Sequence, residues 1–319
     1  MRDIHGREID YLRISVTDRC NLRCKYCMPE KGVEPVSHEE ILTYDEIVTL
    51  AKSFAALGIR KIKITGGEPL VRKNIESLIR DLKAIPGIDE VTLTTNGTLL
   101  TDKVVSLWEA GIDGINISLD TLDPEKYSRI TGKDEFYTVL DGINKCLEFN
   151  IKTKVNVVTL AGINDDEIAE LAGMAYRKPI DVRFIELMPL GLGKEFGGYT
   201  EDVILEKLKA EFGEPEPINE KRGNGPAKYY HFQNFAGNVG IISAMSHSFC
   251  STCNRIRLTA TGELRTCLAY EGGIDLKELL RDGLKGQMVD LVSRYIYNKP
   301  QAHALTIGGE QDIMSKIGG

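Results

Sequence analysis

Residues 11–27, YLRISVTDRCNLRCKYC, join a predicted strand to a compact group of thiols. Apolar and polar residues alternate in the first seven positions, and Leu12, Ile14 and Val16 fall on one face. A period of two is the pattern of a β-strand that is buried on one side. The cysteines follow directly, so we expect them at the carboxyl end of this strand, where parallel α/β folds place their ligand sites. They are Cys20, Cys24 and Cys27.

Further strand-like segments, separated by amphipathic helices, follow this strand up to about residue 212. Six consecutive β/α units predict a parallel sheet with right-handed crossovers. Each strand has one apolar and one polar face, whereas a strand buried on both faces reads as nearly continuous apolar sequence. We therefore predict an α/β fold, an incomplete (β/α)6 TIM-like barrel with a polar lumen; a closed eight-stranded barrel and an open doubly wound sheet are the alternatives. The cations predicted to face the lumen are Arg13, Lys61, Lys63, Lys154 and Arg183.

The character of the sequence changes after residue 212. A connection rich in proline, glycine and charge, GEPEPINEKRGNGPAKYY, leads to β-rich sequence and to two predicted helices near residues 275–282 and 286–297. We therefore predict a partial barrel over residues 1–212 and a C-terminal extension over residues 213–319. The strands of this extension are expected to be antiparallel.

The composition argues against several classes of protein. The 319 residues carry a formal net charge of −7, which is unfavourable for a broad nucleic-acid surface. We find neither a run of about 18 apolar residues nor an apolar segment behind a basic start, so we expect no membrane span and no secretion. We place the protein in the cytoplasm, where its seven cysteines indicate metal or catalytic chemistry before disulfides. Cys146 stands apart in a helical segment and is predicted to be a buried, inert thiol.

A second group of three cysteines lies in the predicted extension, within FCSTCNRIRLTATGELRTC, residues 249–267. Zinc is one interpretation, with His38 or His247 as a fourth ligand. The three cysteines are Cys250, Cys253 and Cys267. For the first group, Cys20, Cys24 and Cys27, the favoured interpretation is an iron–sulfur cubane, in which three thiolates leave one iron open to a substrate or cofactor.

The segment KITGGEPLVR, residues 63–72, ends the second predicted strand. Gly66 and Gly67 permit a ligand to approach the backbone closely, and Glu68 adds a carboxylate at the same edge. A plain strand-to-helix turn explains the glycines and the proline that follows, but it does not explain the carboxylate.

Together these motifs resemble those of the radical S-adenosylmethionine (SAM) superfamily. Within it, the chain is similar to the GTP 3′,8-cyclase family of molybdenum cofactor biosynthesis over nearly its whole length, including TLTTNG, ISLDTL, RFIELMP and the terminal IGG. The resemblance implies that the extension closes the lumen, that each cysteine triplet holds a [4Fe–4S] cluster, and that SAM binds the open iron of the N-terminal cluster. It implies SAM contacts at Tyr26, Gly66, Gly67, Glu68, Ser118 and Met188, and GTP contacts at Arg13, Lys63, Thr94, Lys154, Arg255, Ile256 and Arg257. Lys61, Asn156 and Arg183 are further candidates for substrate binding in the lumen.

The same resemblance implies the reaction. A 5′-deoxyadenosyl radical from SAM removes hydrogen from C3′ of the GTP ribose, and the C3′ radical attacks C8 of guanine. One-electron reduction and protonation of the resulting aminyl radical then give 3′,8-cyclo-7,8-dihydro-GTP. The implied partners are a downstream cyclic pyranopterin monophosphate synthase and an electron donor, which is a reductase, a flavodoxin or a ferredoxin; a homodimer is an open alternative. Catalytic roles are expected for Arg255, Arg257, Gly318 and Gly319, the last two as a tail that enters the active site.

One residue departs from the family pattern, and two other functions remain open. Lys63 stands where arginine is more often expected, which keeps the charge but loses bidentate phosphate geometry. The alternatives are a twin-cluster radical SAM enzyme that modifies a peptide and a zinc-binding interaction module without catalysis.

Overall fold

The computed structural model describes residues 1–220, 222–270 and 272–303 together with Leu305. Within this part of the chain the strands belong to one mixed sheet. The strands are β1 (Tyr11–Ser15), β2 (Lys61–Thr65), β3 (Glu90–Thr95), β4 (Gly114–Ser118), β5 (Thr153–Thr159), β6 (Asp181–Glu186), β7 (Glu216–Ile218), β8 (Lys228–His231), β9 (Asn238–Ile242), β10 (Arg255–Leu258), β11 (Glu263–Arg265) and β12 (Ile274–Asp275).

The helices connect and cover these strands. They are α1 (Tyr44–Ala56), α2 (Ile75–Lys83), α3 (Leu100–Glu109), α4 (Pro124–Thr131), α5 (Phe136–Glu148), α6 (Ile168–Arg177), α7 (Glu201–Phe212), α8 (Leu276–Arg281) and α9 (Lys285–Tyr297). Short 3-10 turns lie at Pro69–Val71, Gly191–Glu195 and Cys250–Thr252.

Strands β1 to β6 form the centre of the sheet in chain order, and each pairs in parallel with the next. Helices form the crossovers between them, which confirms the predicted succession of β/α units. The strand order is linear, with β12 and β7 at its two ends, so the described strands do not close into a complete barrel. This is the incomplete (β/α)6 architecture predicted from the sequence.

The C-terminal extension lengthens the sheet at both edges. β10 pairs in parallel with β1, and β9 pairs in parallel with β6. The pairs β8–β9 and β10–β11 are antiparallel as predicted. The parallel pairing of β9 and β10 with β6 and β1 was not predicted from the sequence. The physical reason is that β1 and β6 would otherwise leave edge backbone groups unpaired, and strands from the extension satisfy them.

The core lies between the sheet and the helices. Ile14, Ile64 and Leu93 of the central strands are fully buried in it. Helix α1 contributes Leu50 and Phe54, and it begins with a capping box between Thr43 and Glu46. Because the apolar faces of the strands pack against helices, their polar faces lie on the opposite side of the sheet.

Two smaller predictions are also confirmed. Helices α8 and α9 occupy the predicted positions near residues 275–282 and 286–297. Cys146 is buried in the apolar core, and this burial raises the pKa of its thiol to about 12.

None of the helices in the described residues is both long and apolar enough to cross a bilayer.

Candidate active site

A cavity of about 780 Å³ lies on the polar side of the sheet. Its wall includes side chains of β1 to β6 and of the C-terminal extension, and both cysteine triplets contribute to it. The predicted site residues that line it are Arg13, Cys20, Cys24, Tyr26, Cys27, Lys63, Gly66, Gly67, Thr94, Ser118, Lys154, Asn156, Arg183, Met188, Cys250, Cys253, Arg255, Arg257 and Cys267.

Other predicted residues lie elsewhere. Lys61 is at the start of β2, and its ammonium bonds Asp10 at 2.8 Å instead of lining the cavity as predicted. The side chain of Ile256 is fully buried in the apolar core, so a substrate contact there is limited to the backbone. Gly318 and Gly319 lie outside the described residues.

The loop that carries the first triplet is held by backbone hydrogen bonds. The amides of Cys27 and Met28 both donate to the carbonyl of Cys24 at 2.9 Å, which closes a turn around two of the thiols. The amides of Arg23 and Lys25 donate to the last turn of α4, at 2.8 Å and 3.0 Å. The sequence therefore folds this segment into a fixed loop at the carboxyl end of β1.

The three thiols of this loop are close enough to influence one another. Burial raises the pKa of Cys27 to about 12, and the charges of Cys20 and Asp120 act in the same direction. Burial and then Cys27 likewise raise the pKa of Cys24. Three thiolates in this position require a positively charged partner, which is the chemistry of a metal-cluster site.

The glycine pair after β2 packs directly on this loop. A Cβ on Gly66 would lie 2.8 Å from the carbonyl oxygen of Thr17, and one on Gly67 would lie 2.6 Å from the carbonyl carbon of Arg19. The amide of Gly67 also donates to the carbonyl of Thr17 at 2.7 Å. Glycine is therefore needed because two backbone segments meet here without room for a side chain.

Glu68 stabilises the neighbouring strand end. Its carboxylate accepts hydrogen bonds from the Leu70 amide at 2.9 Å, the Thr95 hydroxyl at 2.7 Å and the Asn96 amide at 2.6 Å. Burial raises its pKa to about 7, although these hydrogen bonds oppose the shift. Glu68 is outside the set of residues that line the cavity. Asn96, which was not predicted as a site residue, donates from its side chain to Oδ1 of Asn21 at 2.8 Å, and it thereby links Glu68 to the loop that carries the first triplet.

The second triplet has a different electrostatic environment. Burial tends to raise the pKa of Cys253, but Arg255 and then Lys299 outweigh it and lower this pKa to about 7. The guanidinium of Arg255 also lies 4.7 Å from the ring centre of Phe249. A thiol surrounded by cations ionises readily and is suited to ligate a metal.

Cations are concentrated in the cavity. Burial lowers the pKa of Lys63 well below its usual value, and Arg183 and Arg13 add to this shift. The pKa of Arg257 is lowered for the same reasons, burial first and then Arg13 and Arg255. Like charges held together in a low-dielectric space repel, so an anion with several charges is the ligand that this group favours. We call these five residues the cation cluster: Arg13, Lys63, Arg183, Arg255 and Arg257.

Two further polar residues of the wall are held by their neighbours. The ammonium of Lys154 bonds the hydroxyl of Tyr229 at 2.7 Å and Asp181 at 3.1 Å. The carbonyl oxygen of the Asn156 side chain accepts two hydrogen bonds from Arg183, at 2.9 Å and 2.6 Å. Sequence analysis did not identify Asp181 or Tyr229, because only the fold brings them to Lys154.

The chemistry of the two donor sets fits iron–sulfur clusters. In the part of the chain that the structure describes, no group of three His, Cys, Asp or Glu side chains is arranged to hold one metal ion. In a cubane each thiolate binds a different iron, so that finding concerns a single ion and not a cluster. Each triplet provides three soft sulfur ligands that line one cavity.

Two family models match successive parts of this chain. Residues 14–175 match the family model of the radical SAM superfamily, and residues 180–305 match the model named Molybdenum Cofactor Synthesis C. A solved structure, Streptococcus suis SuiB bound to S-adenosylmethionine, shares the fold with a TM-score of 0.64 at 15% identity, covering 96% of this chain and 76% of that one. The fold and the matched domain are those of a radical SAM protein, for which SAM and a [4Fe–4S] cluster are the implied cofactors.

Relatives at higher identity define the family. Proteins named GTP 3′,8-cyclase from Clostridium perfringens (strain 13 / Type A) and from Moorella thermoacetica are each 46% identical to this chain, over 323 and 325 residues, and both alignments cover all of each chain. The chain belongs to the GTP 3′,8-cyclase family.

Proposed function

We propose that the protein converts GTP into 3′,8-cyclo-7,8-dihydro-GTP, the first step of molybdenum cofactor biosynthesis. The observation that carries this proposal is the cation cluster, which lines the same cavity as both cysteine triplets. A nucleoside triphosphate brings several negative charges, and buried cations bind phosphate oxygens far more strongly than surface cations do. The names of the relatives at 46% identity support the same substrate and product.

We propose that Cys20, Cys24 and Cys27 hold the N-terminal [4Fe–4S] cluster. When bound, this cluster supplies the electron that cleaves SAM into methionine and a 5′-deoxyadenosyl radical. The chain itself fixes the thiols in a loop, and Gly66 and Gly67 allow the end of β2 to pack directly against the backbone of residues 17–19 that leads into this loop. The residues proposed to contact SAM from the cavity wall are Tyr26, Gly66, Gly67, Ser118 and Met188. Glu68 does not line the cavity, and its proposed role is to hold the end of β3 in place through the amide of Asn96.

The cation cluster is proposed to bind and orient GTP. Arg255 and Arg257 are two residues apart on β10, so both side chains lie on the same face of the strand. In this proposal they hold the triphosphate with Arg13, Lys63 and Arg183, which keeps the ribose in one orientation during hydrogen abstraction. Thr94, Lys154 and Asn156 complete the proposed polar wall of the GTP site.

A second [4Fe–4S] cluster is proposed on Cys250, Cys253 and Cys267. The position of these thiols on the shared cavity and the lowered pKa of Cys253 support it. Iron analysis of the anaerobically purified protein tests it: two cubanes give roughly eight irons per chain, whereas a single cubane gives about four. Stoichiometric zinc would instead show that this triplet forms a zinc site.

The partners follow from the proposed reaction. The product would be consumed by a cyclic pyranopterin monophosphate synthase, and electrons would come from a flavodoxin, a ferredoxin or a reductase. All seven cysteines are free in the structure, which suits a reducing compartment such as the cytoplasm. Sedimentation of the cluster-loaded protein distinguishes a monomer from the homodimer.

One assay tests the function directly. The reduced protein is incubated anaerobically with SAM and GTP, and the expected products are 5′-deoxyadenosine and an isomer of GTP that separates from it by chromatography. Formation of 5′-deoxyadenosine without any change in GTP would contradict the proposed substrate.

In the same assay, a variant that lacks Gly318 and Gly319 is expected to keep its iron but form no isomer, since these residues are proposed to enter the active site. Full activity of that variant would exclude this role.

A further inference from the structure

A buried ion pair, Asp3–Arg7, precedes the first strand and lies outside the residues that line the cavity. The Nε of Arg7 donates to Oδ2 of Asp3 at 2.6 Å, and both side chains are almost completely buried. The other carboxylate oxygen of Asp3 accepts from the backbone amide of Arg7 at 2.9 Å. The carboxylate therefore fixes the position and the plane of the guanidinium.

The remaining donors of Arg7 connect two segments that are far apart in the sequence. Nη1 donates to the carbonyl of Cys250 at 2.8 Å and to that of Gln301 at 3.1 Å. Nη2 donates to the carbonyls of Lys299 at 3.2 Å and Pro300 at 2.7 Å. A single side chain thus holds a residue of the second triplet and the segment 299–301 that follows α9.

Other contacts join the same two segments. The ammonium of Lys299 donates to the carbonyl of Arg255 at 3.0 Å and also to that of Thr266. The amide of His303 donates to the Sγ of Cys250 at 3.4 Å, and its side chain lines the cavity. The segment 299–303 is therefore packed on the loop that carries the second triplet.

We propose that Arg7 is a positioning residue for the second cysteine triplet. The Asp3–Arg7 pair fixes segment 299–301 against the carbonyl of Cys250, and this contact holds Cys250 in place on the cavity wall. The inference rests on the proposed function only where it takes this triplet as the ligands of a second cluster.

The chemistry of the guanidinium explains why arginine serves here. Buried carbonyl groups need donors, and one planar guanidinium offers five N–H groups in a fixed fork, whereas an ammonium is a compact charge with three. An engaged partner for Nε leaves both terminal nitrogens directed toward the carbonyls. A site whose ligands are supported in this way keeps its geometry before the ligand binds.

The test compares Arg7→Gln and Asp3→Asn with the cluster-loaded wild-type protein. Lys126→Gln is the matched control, because Lys126 also forms ion pairs with Asp166 at 2.8 Å and Glu167 at 2.5 Å, but on a part of the chain outside the proposed site. Hydrogen exchange is measured over residues 297–303 and 249–255, together with iron content and SAM cleavage.

In Arg7→Gln, exchange over both segments is expected to rise by about tenfold or more, the factor that corresponds to one lost hydrogen bond to a charged group. Iron content should fall from roughly eight toward about four per chain while SAM cleavage persists. Asp3→Asn, which leaves the carbonyl contacts of Arg7 available, should show the same changes to a smaller extent, and it provides the test if Arg7→Gln does not fold. Lys126→Gln should leave exchange in these segments unchanged.

Exchange and iron content equal to wild type in both Asp3→Asn and Arg7→Gln would overturn the proposal. A wild-type protein with about four irons would instead remove the second cluster from the proposed function. The exchange measurement would still decide whether Arg7 positions Cys250.

Discussion

The hydroxyl of Tyr26 donates a 2.6 Å hydrogen bond to Oδ2 of Asp120. The other oxygen of this carboxylate accepts from the amide of Val158 at 2.8 Å, and Asn164 donates to the backbone carbonyl of Asp120 at 2.7 Å. Burial raises the pKa of Asp120 to about 6. Because Tyr26 lies between Cys24 and Cys27, one buried carboxylate anchors the first cysteine loop to the ends of β4 and β5.

Replacing this carboxylate should therefore loosen the loop. In Asp120→Ala, the Tyr26 hydroxyl and the Val158 amide lose their acceptor, which should lower the free energy of unfolding by about 1–3 kcal/mol. Denaturant unfolding of the anaerobic protein measures this loss, and the iron content of the N-terminal site should fall with it.

A double-mutant cycle isolates the contact from general damage to the fold. Tyr26→Phe removes only the hydroxyl, so the effects of Tyr26→Phe and Asp120→Ala should not add in the double variant, since both remove the same hydrogen bond. Fully additive losses would show that the two side chains do not act together.

The glycine pair gives a second prediction. In Gly67→Ala the new Cβ would lie 2.7 Å from the carbonyl oxygen of Asp18, a backbone atom that cannot rotate away. We expect a loss of about 1–3 kcal/mol in the free energy of unfolding, the usual cost of overpacking, and a lower iron content at the N-terminal site.

Gly286→Ala is the matched control. A Cβ there meets no atom within 4 Å, and alanine favours the helix, so this variant should be neutral or more stable. Equal iron loss in both variants would contradict the close-approach argument.

Much of the site could be predicted because strand periodicity determines which side chains share a face. Arg13, Lys63 and Arg183 alternate with buried apolar residues, and all three line the cavity. Lys61 follows the same alternation but lies at the start of its strand, where Asp10 is within 2.8 Å. Periodicity assigns the face of a strand, whereas depth along the strand depends on neighbours that the local sequence does not identify.

The pairing of strands that lie far apart in the sequence could not be predicted either. The segments of β9 and β10 read as members of hairpins, and they do form them with β8 and β11. Their parallel pairing with β6 and β1 depends on which edges of the sheet are open, and no local pattern encodes that. The roles of Asp120 and Arg7 depend on contacts across 94 and 243 positions of sequence, so they emerged only from the fold.

The two triplets should have separable roles. Cys24→Ser removes a proposed ligand of the cluster that reacts with SAM, so both SAM cleavage and cyclised product should be lost. Cys253→Ser should retain SAM cleavage and lose only the cyclised product. The measurements are 5′-deoxyadenosine and the GTP isomer in the same reaction, with spectroscopy of the remaining cluster as the control. Equal loss of SAM cleavage in both variants, with the other cluster intact, would show that this division is wrong.

The last prediction concerns Lys63, whose charge should oppose folding but favour substrate binding. Its pKa is lowered by burial and by Arg183 and Arg13, so the ammonium is less stable in the folded protein than in the unfolded chain. The unfolded chain then binds this proton more tightly. The free energy of unfolding should rise with pH between the folded pKa of Lys63 and its ordinary value of 10.5, and the cost of the charge remains in full at lower pH.

Lys63→Met should therefore make the ligand-free protein more stable and flatten this rise with pH, while it weakens GTP binding by about 1.5–3 kcal/mol, the range for a hydrogen bond to a charged group. Thermal unfolding at several pH values and calorimetric titration with GTP measure the two effects. Guanosine is the control ligand, because it has no phosphates and its affinity should change little. If the variant is less stable than the wild-type protein, the charge of Lys63 does not oppose folding. If the affinities for GTP and guanosine fall equally, Lys63 does not bind phosphate. Either result would require its place in the cation cluster to be revised.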